Sequence, residues 1–227
     1  MQSPDIRLKN SPNIQLVCFD LGGVLLRICR TFDEAARRAG VAVHPDTPNE
    51  AADIQARAEI SEAYQRGRIT TDDFALLIRK GFGNVYTVEE LLRIHDAWII
   101  EEYPAIASLI DAIHDAGVRT AALSNTNERH FNLFSQFPSL SKLQAIHASH
   151  HLGLHKPEME IYRELERRTG ATPEGILFFD DLPENVAAAR EAGWRAVQID
   201  HTGNPAKQMS EALKEHGVSE AAKAALA

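Results

Sequence analysis

The chain has 227 residues, 44% of them hydrophobic and 25% charged, with a formal net charge of −8. That is ordinary soluble composition, enough for one sizeable domain or a core with a smaller insert. The acidic balance argues against broad binding to nucleic acid or an anionic membrane, so any phosphate must be met by local donors or a cation.

No apolar run approaches the ~18 residues of a membrane helix. Residues 1–13, with Pro4 and Pro12 and no apolar stretch, are expected to be loose and do not read as a secretory signal. Cys18 and Cys29 read as buried, reduced thiols, and a cytoplasmic protein is the expectation. From Ile14 to Phe19 the chain is apolar and β-prone; it then delivers Asp20 and, after Leu21, Gly22 and Gly23. This pattern predicts a buried parallel strand with its loop.

Between Thr31 and Tyr103 no strand is evident. Stretches 31–39, 50–65, 71–80 and 88–100 are predicted helices, two of them opened by Thr-Asp-Asp and Thr-Val-Glu-Glu start signals. This all-helical block interrupts an alternating pattern and is expected to be an inserted cap, residues 29–103, on a core formed by 1–28 and 104–227. From Pro104 the alternation resumes. Helices are predicted over 104–116, 158–169 and 184–192, and strands over 119–124, 144–149, 176–181 and 195–200. Alternating strands and helices imply an α/β fold, a Rossmann-like parallel sheet covered on both faces. After Asp200 the chain is polar, with a helical, alanine-rich end.

In open α/β sheets, ligands gather outside the carboxyl ends of the strands. There the chain carries Asp20, Ser124-Asn125-Thr126-Asn127, Lys156-Pro157 and Asp180-Asp181. Carboxylates, a hydroxyl and one lysine on one sheet edge suit a divalent cation holding a phosphate, because Mg²⁺ takes oxygen ligands and substrate phosphate. Adjacent Asp180 and Asp181 repel each other without such a cation. The lysine supplies a point charge for a phosphoryl oxygen.

These four signatures, in this order over residues 14–200, resemble the haloacid dehalogenase superfamily of phosphohydrolases with a helical cap between the first and second motifs. Within it, the chain is similar to bacterial sugar-phosphatase members, such as the glucose-1-phosphate phosphatases, whose first loop reads Asp-Leu-Gly. The cap stretch from Tyr64 to Thr70, with Phe74, also looks like theirs. The resemblance implies a core with strand order 5-4-1-2-3 and a Mg²⁺ cofactor. It implies Asp20 as nucleophile with Lys156 as catalytic partner, and phosphate binding by Ser124, Asn125 and Lys156. Mg²⁺ would be held by Asp20, the Gly22 carbonyl, Asp181 and, directly or at one remove, Asp180. The partner is then a small phosphorylated metabolite, with no nucleic acid or membrane, on a monomer or homodimer.

One position departs from the family pattern. Most phosphatases of this superfamily carry an acid–base aspartate two residues after the nucleophile, where this chain has Gly22. General acid–base help is worth roughly 10²–10⁴-fold. Its absence points to good leaving groups such as sugar 1-phosphates or acyl phosphates, to a substitute acid among His130, His151 and His155, or to a weak catalyst. A metal-independent dehalogenase and a phosphate-binding protein without turnover are the competing functions. Plainer uses stay open for single residues. Ser124-Asn125 can be a helix N-cap, Lys156 a surface lysine, and Arg66-Gly67-Arg68 a solvated turn rather than a contact to a substrate phosphate or sugar. Tyr64, Phe74 and Trp98 can be simple packing, and the clustered histidines lack a transition-metal pattern.

Overall fold

The structure, a computed structural model, describes residues 14–218. The stretch 1–13 and the alanine-rich end beyond 218 lie outside them. In chain order the first elements are β1 (Leu16–Phe19), β2 (Leu26–Ile28), α1 (Phe32–Arg38), α2 (Ala51–Gln65), α3 (Thr71–Gly81), α4 (Val88–Asp96) and β3 (Ile99–Glu102). Next come α5 (Ile106–Asp115), β4 (Arg119–Ser124), α6 (Glu128–Leu133), α7 (Pro138–Lys142), β5 (Ala145–Ala148), α8 (Ser149–Leu152) and α9 (Met159–Thr169). The chain continues through β6 (Ile176–Asp180), α10 (Pro183–Glu191), β7 (Arg195–Gln198) and α11 (Pro205–Glu215).

Strands β5-β4-β1-β6-β7 form a parallel five-stranded sheet in that order. Counting only these strands along the chain, this is the 5-4-1-2-3 arrangement expected. The central strand β1 is buried on both faces, which is why it reads as a continuous apolar run rather than an alternating one. Its side chains still alternate. Val17 and Phe19 join Leu177 and Phe179 against α5 and α11, while Leu16 and Cys18 join Ile176 and Phe178 against α9 and α10. The helices between β2 and β3 have their own apolar cluster around Tyr64, Phe74, Phe82 and Tyr86. Capping boxes open three of them, at Glu50/Asp53, Thr70/Asp73 and Thr87/Glu90.

Two expectations about this stretch are corrected. The helix predicted over 88–100 stops at Asp96, and the stretch expected to hold no strand contains Ile99–Glu102, which turns back as β3, antiparallel to β2. The β-branched pair Ile99-Ile100 is satisfied by pairing with residues more than 70 positions earlier, a long-range gain that overrides the local helical pattern. The chain thus leaves the sheet and returns to it along one two-stranded ribbon. The short helices α6, α7 and α8 span too few residues to show a helical period in the sequence. Among the described residues, no helix is long and apolar enough to cross a membrane.

Candidate active site

Asp20 follows β1 directly, and its amide is tied to the Phe179 carbonyl of the neighbouring strand. The loop after it is wound tightly, with the Gly23, Leu25 and Leu26 amides bonded inside residues 21–26. Gly23 sits at φ +80°, and a β-carbon there would run into the Asp181 carboxylate and the Arg30 guanidinium. Only glycine lets the backbone pass that close.

Lys156 is 2% exposed, and its ammonium lies 3.0 Å from Asp20 Oδ1 and 2.6 Å from Asp180 Oδ2. The surface-lysine alternative is thereby excluded. Burial alone would favour loss of the proton, but Asp180 and Asp20 outweigh it and hold the pKa above the usual lysine value. Asp180 is fully enclosed. Its carboxylate also accepts from the Leu182 amide at 2.9 Å and from Asn185 Nδ2 at 3.1 Å, so protein donors fix both oxygens. Asp181 has a partner of its own and accepts from Arg30 Nη1 at 2.8 Å.

The carboxylates of Asp20, Asp180 and Asp181 each offer an oxygen within 4.8 Å of the others. Three anions therefore face two cations, Lys156 and Arg30. The imbalance is felt at Asp20. Its pKa is raised to about 6, chiefly by burial, against the pull of Lys156 and with a further push from Asp180 and Asp181. An oxygen-rich, electron-rich cluster of this kind fits a hard divalent cation.

Ser124 ends β4 at 4% exposure, and its hydroxyl has no hydrogen-bond partner among the described residues. Asn125 is differently engaged. Its Oδ1 accepts from the Lys156 amide at 2.9 Å, and its Nδ2 donates to the Lys156 carbonyl at 2.9 Å and contacts His155 Nδ1 at 3.2 Å. Asn125 thus clamps the lysine loop, and both its amide hydrogens are occupied. The N-cap of α6 is Asn127, not Ser124 or Asn125.

A cavity of about 290 Å³ opens beside these groups. Gly22, Ser124, Asn125 and Asn127 line one side; Tyr64, Phe74, His95 and Trp98 close it from the helical segment. Tyr64 stacks on Phe74 with ring centroids 4.5 Å apart, so these aromatics both pack and face the cavity. The space that an aspartate side chain in place of Gly22 would take is filled by Ile28, whose Cδ1 lies 2.9 Å from the position of a β-carbon on Gly22.

The proposed substitute acids are not poised there. His155 Nε2 bonds Gln65 at 2.8 Å while its Nδ1 faces Asn125; His151 is exposed in a separate cleft by Gly67. His130 borders the cavity, but its Nε2 donates to the His95 carbonyl at 2.7 Å. Burial pushes His95, His130 and His155 below the ordinary histidine range.

Arg66, expected in a solvated turn, is 8% exposed and forms a two-pronged pair with Glu158 at 2.8 and 2.6 Å. It ties α2 to the loop of Lys156. Arg30, Asn185 and His95 carry no signal in the sequence, since each matters through a partner distant in the chain or inside a helix turn that looks ordinary.

Among curated proteins, the chain is 32% identical over 105 residues to an enolase-phosphatase E1 of Drosophila mojavensis, covering 45% of this chain and 42% of that one. The chain spans about half the length of the curated relatives it matches. Among solved structures it is similar to a predicted HAD-like family hydrolase of Porphyromonas gingivalis, with TM-score 0.73 and 26% identity over 88% of this chain and 98% of that one. The fold also matches a HAD family enzyme of Bacteroides thetaiotaomicron, crystallised with magnesium and inorganic phosphate, at TM-score 0.71 and 21% identity, covering 84% and 96% of the two chains. The sequence signature of the haloacid dehalogenase-like hydrolases matches residues 14–193, and the chain belongs to that family of hydrolases.

Proposed function

We propose that the protein is a Mg²⁺-dependent phosphatase acting on a small phosphorylated metabolite of the sugar 1-phosphate kind, through a phosphoaspartyl intermediate on Asp20. The observation that carries this reading is the buried Lys156 ammonium between Asp20 and Asp180, beside a three-carboxylate cluster with one uncompensated negative charge. Asp20, Asp181 and the Gly22 carbonyl would hold the cation, which when bound supplies positive charge to the phosphoryl oxygens. Asp180, already engaged by Lys156 and Asn185, orients the lysine instead.

In the first step an Asp20 oxygen attacks phosphorus and the bond to the leaving oxygen breaks. Lys156 and the Ser124 hydroxyl stabilise the charge on the phosphoryl oxygens, and Asn125 keeps the lysine loop in register. Water then attacks the phosphoaspartate, releasing phosphate and restoring the carboxylate. Among the described residues lining the cavity, the titratable side chains are Tyr64, His95 and His130. Burial raises the first and lowers the other two, so none is a good acid near neutrality. That favours substrates whose leaving group needs little protonation, as an anomeric hydroxyl does.

Residues 29–103 act in this reading as a cap that excludes water from the core formed by 1–28 and 104–227. The test is a hydrolysis panel of sugar 1-phosphates, sugar 6-phosphates, nucleotides, acyl phosphates and a 2-chloro acid, with Mg²⁺ and with chelator. Phosphate release that needs Mg²⁺, prefers 1-phosphates and vanishes in Asp20→Asn is the expected result. Dechlorination that survives chelation would instead establish the dehalogenase alternative.

A further inference from the structure

We infer that His95 selects the substrate class, as a hydrogen-bond acceptor reserved for a hydroxyl on the carbon skeleton of the phosphate ester. The inference rests on the phosphatase reading above and narrows it: the ligand is a phosphorylated polyol or sugar rather than an alkyl, aryl or carboxylate-bearing phosphate.

Asn127 decides which ring nitrogen of His95 carries the hydrogen. Asn127 Oδ1 accepts the His130 backbone N–H at 3.0 Å, so that atom is the amide oxygen and not the nitrogen. His95 Nε2 lies 3.2 Å from the same oxygen and must donate to it. A neutral imidazole has one N–H, so the lone pair of His95 sits on Nδ1. His130 stacks on His95 with ring centroids 4.0 Å apart and planes 12° from parallel. A second charge so close is unfavourable, and burial disfavours the first, which keeps the His95 ring neutral.

Nδ1 of His95 has no protein partner among the described residues, yet it is not one of the buried nitrogens shut away without a partner. The ring borders the same cavity as Ser124 and Gly22, and on its other side a second cavity of the helical segment lined by Ile78, Phe82 and Leu91. Much of the remaining wall is apolar: Leu26, Ile28, Phe74, Trp98 and Phe134. The cavity thus has a phosphate end at the sheet rim and, at the cap end, Ser61, Gln65 and the His95 ring with its Nδ1 acceptor among largely apolar groups. A ligand without a donor leaves that acceptor desolvated and unpaired, whereas a hydroxyl satisfies it. A ligand carboxylate would meet it lone pair to lone pair. Sites built around a polar group discriminate strongly against analogues that cannot pair with it.

Two substitutions separate this role from a structural one. In His95→Gln the amide nitrogen reaches the place of Nε2 and keeps the contact to Asn127, but no acceptor stands where Nδ1 was. In His95→Asn the side-chain oxygen takes the place of Nδ1 and the contact to Asn127 is lost. Glycerol 1-phosphate and propyl phosphate, which match in length and differ in hydroxyls, are measured as competitive inhibitors of the full chain hydrolysing a sugar 1-phosphate with Mg²⁺. The wild type is expected to bind glycerol 1-phosphate about tenfold more tightly by inhibition constant, one hydrogen bond's worth. The preference collapses in His95→Gln and persists in His95→Asn. The reverse ranking, or no preference in the wild type, overturns the inference.

A second measurement keeps the two readings apart. The ring nitrogens of His95 are followed by ¹⁵N NMR in the Asp20→Asn variant with Mg²⁺ while each ester is added. A shift of Nδ1 with glycerol 1-phosphate and none with propyl phosphate supports the inference; equal shifts, or none, overturn it. If the wild type hydrolyses no phosphate ester at all, the phosphatase reading fails on its own, and this titration still decides the role of His95.

Discussion

The nucleophile role proposed for Asp20 requires it to stay ionised, while its burial and two neighbouring carboxylates favour the neutral form. Its pKa, raised to about 6, means that the folded chain binds a proton more readily than the unfolded one. The metal-free fold therefore loses stability as pH rises through about 6. Replacing Asp20 by Asn should raise the melting temperature of the chelated protein at pH 7.5 by a few degrees and abolish turnover by about 10³-fold or more. A lower melting temperature would show that the carboxylate is not destabilising there. Crowding at Gly22 can be tested in the same way. Gly22→Asp alone should cost about 1–3 kcal/mol in denaturant unfolding, because Ile28 fills the space. The double variant Gly22→Asp, Ile28→Ala should recover part of that loss and raise activity on 6-phosphates relative to 1-phosphates. If the double variant is less stable than Gly22→Asp, crowding by Ile28 is not the obstacle.

Several side-chain ties join the helical segment to the sheet. Arg66 grips Glu158, Gln65 meets His155 and the Ser149 hydroxyl, Arg129 pairs with Asp96, and Arg30 holds Asp181. The paired strands β2 and β3 carry both chain crossings between the two parts. Arg66 is nearly buried while Glu158 is half-exposed, so the pair contributes more to geometry than to global stability. Arg66→Lys keeps the charge and loses the two-pronged fork. It should leave the melting temperature within a few degrees and speed amide exchange over residues 62–68 and 149–158. Unchanged exchange would mean that the remaining ties hold these elements alone. Gly23 serves the same junction, because the β1–β2 loop can pass under Arg30 and Asp181 only without a side chain.

For the whole molecule, histidine burial sets the response to acid. Among the described residues, burial lowers His95, His130, His147, His155 and His216, and takes His150 down to about 4. The unfolded chain regains ordinary histidine values near 6.5, so below that pH it binds more protons than the folded one. Stability is then full above about pH 6.5 and is lost on acidification. Asp20 works in the opposite sense with a single proton. The melting temperature should therefore fall steadily from pH 7.5 to 5, as calorimetry would detect; a flat or rising profile would contradict the burial of these rings. Millimolar Mg²⁺ at pH 7.5 should raise the melting temperature in the wild type and much less in Asp181→Asn, since a ligand of the native state stabilises in proportion to its occupancy.

The alternation of strands and helices, the central apolar strand, and the residues delivered at four strand ends were all legible in the chain. These signals are local: hydrophobic period, chain breaks by glycine, and polar residues placed directly after buried runs. Asp20, Ser124 and the Asp180-Asp181 pair stand out for that reason; Lys156, in the loop after α8, stands out only in company with them. The ribbon β2–β3, the Arg30–Asp181 pair across 151 positions and the Arg66–Glu158 pair across 92 have no local signature. They exist because packing brings distant segments together and leaves polar groups that must find partners. The same holds for Asn125, whose donors go to the lysine loop, and for His95, whose tautomer is decided by an asparagine 32 positions away. Composition and periodicity determined which chemistry could gather at the sheet rim; only tertiary packing decided which atom of each group is committed and which is left to meet a substrate.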